Sequence, residues 1–385
     1  MRDFIITATR SMQDYAARVT GHLSKFATFQ QPAQPMAQPT AAEMDGAKLL
    51  QTDRFADGEM EVMLTNSVRG KDVILFTSCA RNEAGIGVEE AKIELYHAVD
   101  ALKRSRAERI IVFEPYVSCA RSDRTTRRSS VGLWVHLKIL TSLGVRQYVT
   151  YQLHSDKSRS MVDPTICTVD DVPALTLLKR HLCDAYIQNL DYLEKVVRTN
   201  WAFCSVDAGG EKLARDFANS FGAPLVVAHK QRDYSKANAI ESINILSAEP
   251  LEGKALWIVD DMVDTAASVE SLIRALGPHK PREINIIAVH ALFSPPAARR
   301  LIGLSEEGLL NRVMVSDTVY CARSLLDDSA RETGKASGMP KLEVVPSAEL
   351  SARIIRTIIT NNSMTKMLRP FDARIYLRSP KLFNQ

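Results

Sequence analysis

Two adjacent carboxylates, Asp260 and Asp261, close an apolar run and are followed by Asp264, Thr265, Ala266, Ala267 and Ser268. Residues 255–259 are apolar and β-branched, the composition of a strand buried in a parallel sheet. Acids at the carboxyl end of such a strand stand where open α/β sheets bind their ligands. Small side chains after them let backbone N–H groups approach an anion, the hydroxyls of Thr265 and Ser268 add donors, and the start of a helix favours negative charge. A phosphate suits that loop, and the paired carboxylates suit the paired hydroxyls of a ribose. Helix capping by Ser268 with solvated acids is the better reading of Thr-Ala-Ala-Ser taken alone. The strand and the acid pair attached to it outweigh that reading.

Other stretches carry chemistry of the same kind. SVDAGG, residues 205–210, sets Asp207 at a strand end before two glycines that permit close backbone approach. HKQRDYSKAN, residues 229–238, reads alone as a solvated surface loop with Lys230 and Arg232 as its cations. QLHSDKS places His154 just past a strand end, and CARSDR carries Arg121, whose planar guanidinium suits phosphate oxygens better than lysine does. RFADGE, residues 54–59, reads alone as an exposed turn before a strand, and NSVRGKDV follows from residue 66. Arg69 in that stretch is as well suited to a plain salt bridge as to an anion.

Strand-like runs alternating with helical spacing must position these groups. The pattern predicts strands over FIITA near the N-terminus and over 73–76, 110–113 and 148–153, with a helix over 89–105 showing Ile93, Tyr96, Val99 and Leu102 on one face. It then repeats: strand 202–206, helix 211–221, strand 224–227, strand 255–259, helix 269–276 and strand 284–289. Alternation of this kind predicts two α/β units with mostly parallel sheets. QQPAQPMAQPTAA, residues 30–42, is read as a mobile surface insertion. Residues 329–340 are read as a second loop, and 348–359 as a closing helix before a tail from Lys366 that the pattern does not place.

Together these motifs resemble the ribose-phosphate diphosphokinase (PRPP synthetase) family. The 255–268 segment is similar to the PRPP-binding motif of type I phosphoribosyltransferases, CARSDR to the family's YARQDR, SVDAGG to its SPDAGG, and NSVRG to its SVRG stretch. The resemblance runs from about Phe4 to about Leu368, with interruptions at 30–42, after Asn82 and near 323–340. It implies two tandem type I phosphoribosyltransferase-like domains with mostly parallel sheets, over 1–175 and 176–345, followed by a closing helix and tail over 346–385. It implies transfer of the diphosphoryl group of ATP to O1 of ribose 5-phosphate, giving phosphoribosyl pyrophosphate (PRPP) and AMP for nucleotide biosynthesis. Lys230 and Arg232 are then catalytic, and Asp260, Asp261, Asp264, Thr265, Ala266, Ala267 and Ser268 hold ribose 5-phosphate. Phe55, Asp57, Glu59 and Arg121 bind ATP, the first three reaching it from a neighbouring subunit, so a homo-oligomer is implied. His154 and Asp207 hold Mg²⁺, the implied cofactor, and Ser67 with Arg69 binds regulatory phosphate. The chain departs from the family at Ser122, Gln152, Ala267 and Ser268. Ala267 stands where the family has glycine, which restricts the backbone if a positive φ is required there. These departures keep open an alternative, a catalytically weak or inactive regulatory subunit of such an enzyme.

Composition excludes other classes. The 385 residues carry a net charge of only +4, without the basic-aromatic interleaving of a nucleic-acid groove. Six cysteines lie scattered with no C-x-x-C pair, which supports neither a disulfide framework nor a zinc site. No apolar run reaches the roughly 18 residues of a membrane span, and MRDFIITATR has no signal-peptide core. The expectation is a reduced, cytoplasmic protein with no nucleic-acid or membrane partner. No Walker loop or H-E-x-x-H occurs, and GIGVEE at Gly85 lacks the third glycine of a dinucleotide fingerprint.

Overall fold

The computed structural model describes residues 3–28, 49–82, 84–125, 128–232, 240–320 and 340–380; for 27–28, 230–232, 240–242 and 366 the description is of the backbone. The insertion at 30–42, most of the 329–340 loop and residues 233–239 of the basic loop lie outside these residues. The chain divides into two units, the first comprising Met1–Pro173, Thr318–Tyr320 and Pro346–Leu368 and the second Ala174–Asp317, Cys321–Val345 and Arg369–Gln385. Residues 346–385, read as one closing segment, are thus shared between the units.

In the first unit, β1 (Phe4–Ala8), β4 (Asp72–Phe76), β5 (Arg109–Phe113), β6 (Val145–Tyr151) and β7 (Thr168–Val172) form one sheet in the order β1-β4-β5-β6-β7. Every pairing in it is parallel. Strands β1 and β4 are buried along their whole length, as FIITA and DVILF require. Helices α1 (Gln13–Thr28), α2 (Val88–Arg104) and α3 (Gly132–Leu143) connect or cover strands. A hairpin of β2 (Leu50–Arg54) and β3 (Met60–Leu64) stands apart as its own two-stranded sheet. Strand β6 begins earlier than the pattern predicts because Gly144, at φ 108°, ends α3 and turns straight into it. It ends earlier because Gln152 takes φ 45°, which no strand accommodates.

The predicted face of α2 needs correction. Ile93 is 45% exposed, and the buried residues are Ala91, Lys92, Glu94, Leu95, Ala98, Val99 and Leu102. Glu94 is buried because Arg10 and Thr52 bond its carboxylate, which hydropathy spacing cannot register.

In the second unit, β8 (Trp201–Ser205), β9 (Leu225–Arg232), β10 (Ile240–Ser247), β11 (Ala255–Val263), β12 (Glu283–Ala291), β13 (Arg312–Ser316) and β14 (Lys341–Val345) form a sheet in the order β10-β9-β8-β11-β12-β13-β14. Only the β9–β10 pairing is antiparallel. The sheet grows from β8 in both directions, so β8 and β11 flank a topological switch point, the usual ligand position in such sheets. Helices α4 (Leu175–Tyr186), α5 (Glu211–Phe221), α6 (Ala267–Leu276) and α7 (Ala297–Glu306) belong to this unit. One apolar cluster, including Leu256, Ile258, Val269, Leu272, Ile286 and Val313, joins β11, β12 and β13 to α6.

The closing helix α8 (Ala348–Ile359) packs in the first unit against α1. The Tyr15 hydroxyl lies 2.7 Å from Ser347 Oγ and 2.8 Å from Ser351 Oγ. The tail that sequence left unplaced forms α9 (Ala373–Arg378) in the second unit, capped by Asp372 and anchored by Tyr376, whose hydroxyl donates to Asp184. Both α1 and α9 went unpredicted.

Candidate active site

Strand β11 continues to Val263, so Asp260 and Asp261 lie within its last turn of pleat rather than beyond its end. The correction follows from the register: Asp260, Met262 and Val263 still pair with Ala288, His290 and Ala291 of β12. Asp261 is buried and Asp260 half-buried, and the Asp261 N–H donates to Asp260 Oδ1 at 2.9 Å. Burial pushes the Asp260 carboxyl well above the usual carboxylate range, and the neighbouring Asp261 and then Asp207 push it further. The site therefore concentrates negative charge that donors or a cation would relieve.

The loop after β11 is tight. Ala266 takes φ 59° and ψ 8°, a left-handed conformation that disfavours side chains, and α6 starts immediately at Ala267. Ala267 and Ser268 thus form the exposed first turn of α6, where backbone N–H groups lack helical partners, an arrangement that favours anions. The Phe293 N–H donates to Val263 O at 3.0 Å, and Arg300 of α7 donates through Nη1 to Thr265 O at 2.8 Å. Arg300 also pairs with Glu270 at 3.1 Å, so it ties the loop to both helices. No local motif signalled Arg300; it lies 35 residues beyond Thr265.

At the neighbouring strand end, Asp207 accepts the Gly210 N–H at 3.0 Å. A side chain at Gly209 would stand 3.2 Å from Asp207 Oδ1, so glycine there keeps that carboxylate unobstructed. The predicted basic loop is corrected in part: His229, Lys230, Gln231 and Arg232 lie on β9, paired with β10, because the apolar run from Leu225 continues into a hairpin partner. Residues 233–239, the rest of that motif, lie outside the described residues.

The first unit carries the other predicted residues. Phe55, Asp57 and Glu59 form the tip of the β2–β3 hairpin, with Phe55 53% exposed. The tip is ordered by Phe55 N–H to Glu59 O at 2.9 Å and by Glu59 N–H to Asp57 Oδ1 at 3.1 Å. Arg54 fastens the hairpin to α2 through Glu90 at 2.7 Å. Ser67 and Arg69 are exposed in the turn before β4, and among the described residues Arg69 forms no ion pair. Arg121 is exposed in the turn after β5, and His154 is exposed three residues past β6. Among the described residues no cluster of three or more His, Cys, Asp or Glu has the spacing of a ready-made metal site.

Comparison with known proteins fits this arrangement. The N-terminal domain of ribose phosphate pyrophosphokinase matches residues 5–144, and the phosphoribosyl transferase domain matches 173–303. A ribose-phosphate pyrophosphokinase of Prochlorococcus marinus is 30% identical over 370 residues, covering 94% of this chain and 98% of its own. The chain belongs to the ribose-phosphate pyrophosphokinase family. A member from Synechocystis sp. is 29% identical over 367 residues, covering 95% and 98%. The crystal structure of phosphoribosylpyrophosphate synthetase from Mycobacterium smegmatis shares the fold, with a TM-score of 0.70 and 24% identity over 94% of this chain and all of that one.

Family membership sharpens the reading of Ala267. The methyl group that departs from the family's glycine sits on a helical residue, and the positive φ falls one residue earlier, on Ala266. The strain expected at position 267 is therefore absent there. Ser122, another departure, accepts the Gly132 N–H at 2.9 Å and so satisfies the first donor of α3.

Proposed function

We propose that this ribose-phosphate pyrophosphokinase transfers the diphosphoryl group of ATP to O1 of ribose 5-phosphate, giving PRPP and AMP for nucleotide biosynthesis in the cytoplasm. The observation that carries the sugar-phosphate half is the setting of Asp260 and Asp261 on β11, directly ahead of an anion-ready helix start. The 264–268 loop takes the 5-phosphate through backbone N–H groups and the hydroxyls of Thr265 and Ser268, and the paired carboxylates take the ribose hydroxyls. O1 bonds to the β-phosphorus as the link from that phosphorus to the α-phosphate oxygen breaks, and AMP leaves. Such transfer needs positioning and charge neutralisation more than covalent help. Lys230 and Arg232, at the end of β9, are assigned to the β-phosphoryl group, whose charge they stabilise in the transition state.

Asp207 and the Asp260–Asp261 pair offer oxygen donors of the kind Mg²⁺ prefers, short of a ready-made three-ligand cluster, and the neighbouring carboxylates that add to the effect of burial on Asp260 are what a divalent cation would relieve. Bound Mg²⁺ supplies charge neutralisation on the phosphates. In the first unit His154 is assigned to the Mg²⁺ of ATP and Arg121 to its phosphates. Phe55, Asp57 and Glu59 are assigned to the adenine of a neighbouring subunit in a homo-oligomer, which an exposed, ordered hairpin tip supports. Ser67 and Arg69 are assigned to regulatory phosphate, supported by the absence of an ion pair for Arg69 among the described residues. The regulatory-subunit alternative loses its main ground with the strain at Ala267.

The Lys230→Ala variant tests the assignment. AMP release should fall about 10²- to 10³-fold with the KM for ribose 5-phosphate little changed, whereas unaltered turnover would remove Lys230 from the mechanism. An unmodified chain silent with ATP, Mg²⁺ and ribose 5-phosphate, yet stimulating an added family member, would instead establish the regulatory role.

A further inference from the structure

The turn that carries Arg121 is held from behind by polar groups that the proposed reaction does not use. Glu114, the residue after β5, is completely buried. Its Oε1 accepts the Ser118 N–H at 3.2 Å, and its Oε2 lies 3.1 Å from His136 Nε2 and accepts the Tyr148 hydroxyl. The Tyr96 hydroxyl sits 2.9 Å from the other nitrogen of His136. Groups from α3 and β6 thus converge on one carboxylate, with Tyr96 of α2 backing the His136 ring, and the carboxylate grips the Ser118 backbone directly before Cys119.

Cys119 takes φ 62°, a conformation disfavoured for a side-chain-bearing residue and kept only where its surroundings impose it. Lys92 supplies the opposing grip. Its amino group reaches Cys119 Sγ at 3.3 Å and is itself steered by Glu89 at 2.8 Å. Gly132 completes the enclosure, since a side chain there would stand 3.3 Å from Cys119 Sγ. The Ser122 N–H closes the turn onto Cys119 O at 2.8 Å. Arg121 lies inside this turn, two residues from Cys119 and one from Ser122.

We propose that Glu114 and Lys92 are positioning residues for ATP, acting through the strained Cys119–Ser122 turn that presents Arg121. The inference rests on Arg121 binding ATP. A buried ionic cluster is weak evidence for stability as such, because an apolar core of equal volume does as well. Its arrangement here instead fixes one backbone conformation, and misplacement by about an ångström costs an enzyme heavily.

Three variants, Arg121→Ala, Glu114→Gln and Lys92→Met, separate the possibilities by steady-state kinetics of AMP release with each substrate varied. Glutamine keeps an acceptor for the Ser118 N–H but puts an NH2 donor where Oε2 accepted from Tyr148, and Lys92→Met removes the second grip without touching Glu114. The expected result is a KM for ATP raised roughly tenfold or more in all three, with the KM for ribose 5-phosphate changed less than about twofold. A raised KM for ATP in Arg121→Ala alone overturns the positioning role and leaves the function standing. No change in Arg121→Ala overturns the ATP assignment of that arginine, and the positioning role with it. Equal rises for both substrates mark a general loss of structure and also overturn the role. Should Glu114→Gln fail to fold, Lys92→Met decides by the same criteria.

Discussion

Each unit sets a carboxylate at the end of a central parallel strand, and the two are held in opposite electrostatic states. Glu114, after β5, would be driven upward in pKa by its complete burial, but His136 beside it and hydrogen bonds from His136, Tyr148 and the Ser118 N–H hold it below the usual range. Asp260, near the end of β11, is driven upward by burial and then by Asp261 and Asp207, with only the Asp261 N–H opposing. One carboxylate has its donors built into the protein. The other has mainly further acceptors around it, with the Asp261 N–H donating to it. The difference separates a group whose partners the fold supplies from one left for the proposed sugar-binding role, and that role would accord with the tendency of binding sites to sacrifice stability.

The largest effect should come from breaking the satisfied carboxylate. Glu114→Ala leaves His136, Tyr148 and the Ser118 N–H buried without their acceptor, and about 3–5 kcal/mol of stability should be lost. Chemical denaturation followed by the fluorescence of the buried aromatics measures it. A loss below about 1 kcal/mol would mean that water replaces the carboxylate, and the contrast with Asp260 would collapse.

Asp260→Asn should act in the other direction. Removing the repelled charge should stabilise the ligand-free protein by on the order of 1 kcal/mol, while turnover falls because a ribose hydroxyl or Mg²⁺ loses its partner. The pH dependence distinguishes the two carboxylates. A raised folded-state pKa at Asp260 means that its contribution is most favourable below the ordinary aspartate range and is lost as pH rises through the raised value. The advantage of Asp260→Asn should therefore grow as pH rises. At Glu114 the depressed pKa makes its contribution present above the ordinary glutamate value and lost as pH falls through the depressed one. Melting temperatures of both proteins across that range check the sign, and an advantage independent of pH would refute it.

Much of this was legible in the residue pattern because hydropathy and turn chemistry are local. Helices 211–221 and 348–359 coincide with α5 and α8, and the β-branched run before Asp260 coincides with the start of β11. What escaped depended on contacts distant in sequence. The extension of β9 through Lys230 requires β10 as partner, and the persistence of β11 past Asp260 requires β12. The burial of Lys92, Glu94 and Glu114 follows from Cys119, Arg10 and His136, none of which a hydropathy window can bring together. The positive φ at Ala266, rather than Ala267, is set by where α6 begins, and element boundaries are the least predictable feature of a sequence.

Arg300 offers the smallest and most selective test of the contrast, because it supports the unsatisfied site without entering it. Its bond to Thr265 O steadies the peptide ahead of the left-handed Ala266, while its ion pair with Glu270 is partly exposed and adds little. Arg300→Ala should raise the KM for ribose 5-phosphate roughly tenfold, the loss of one charge-assisted hydrogen bond, and leave kcat close to that of the unaltered enzyme. That pattern marks support of sugar-phosphate binding that is equal in ground and transition states. If kcat fell as far as kcat/KM, the loop would be tightening as the diphosphoryl group moves, and Arg300 would be supporting the transition state rather than binding alone.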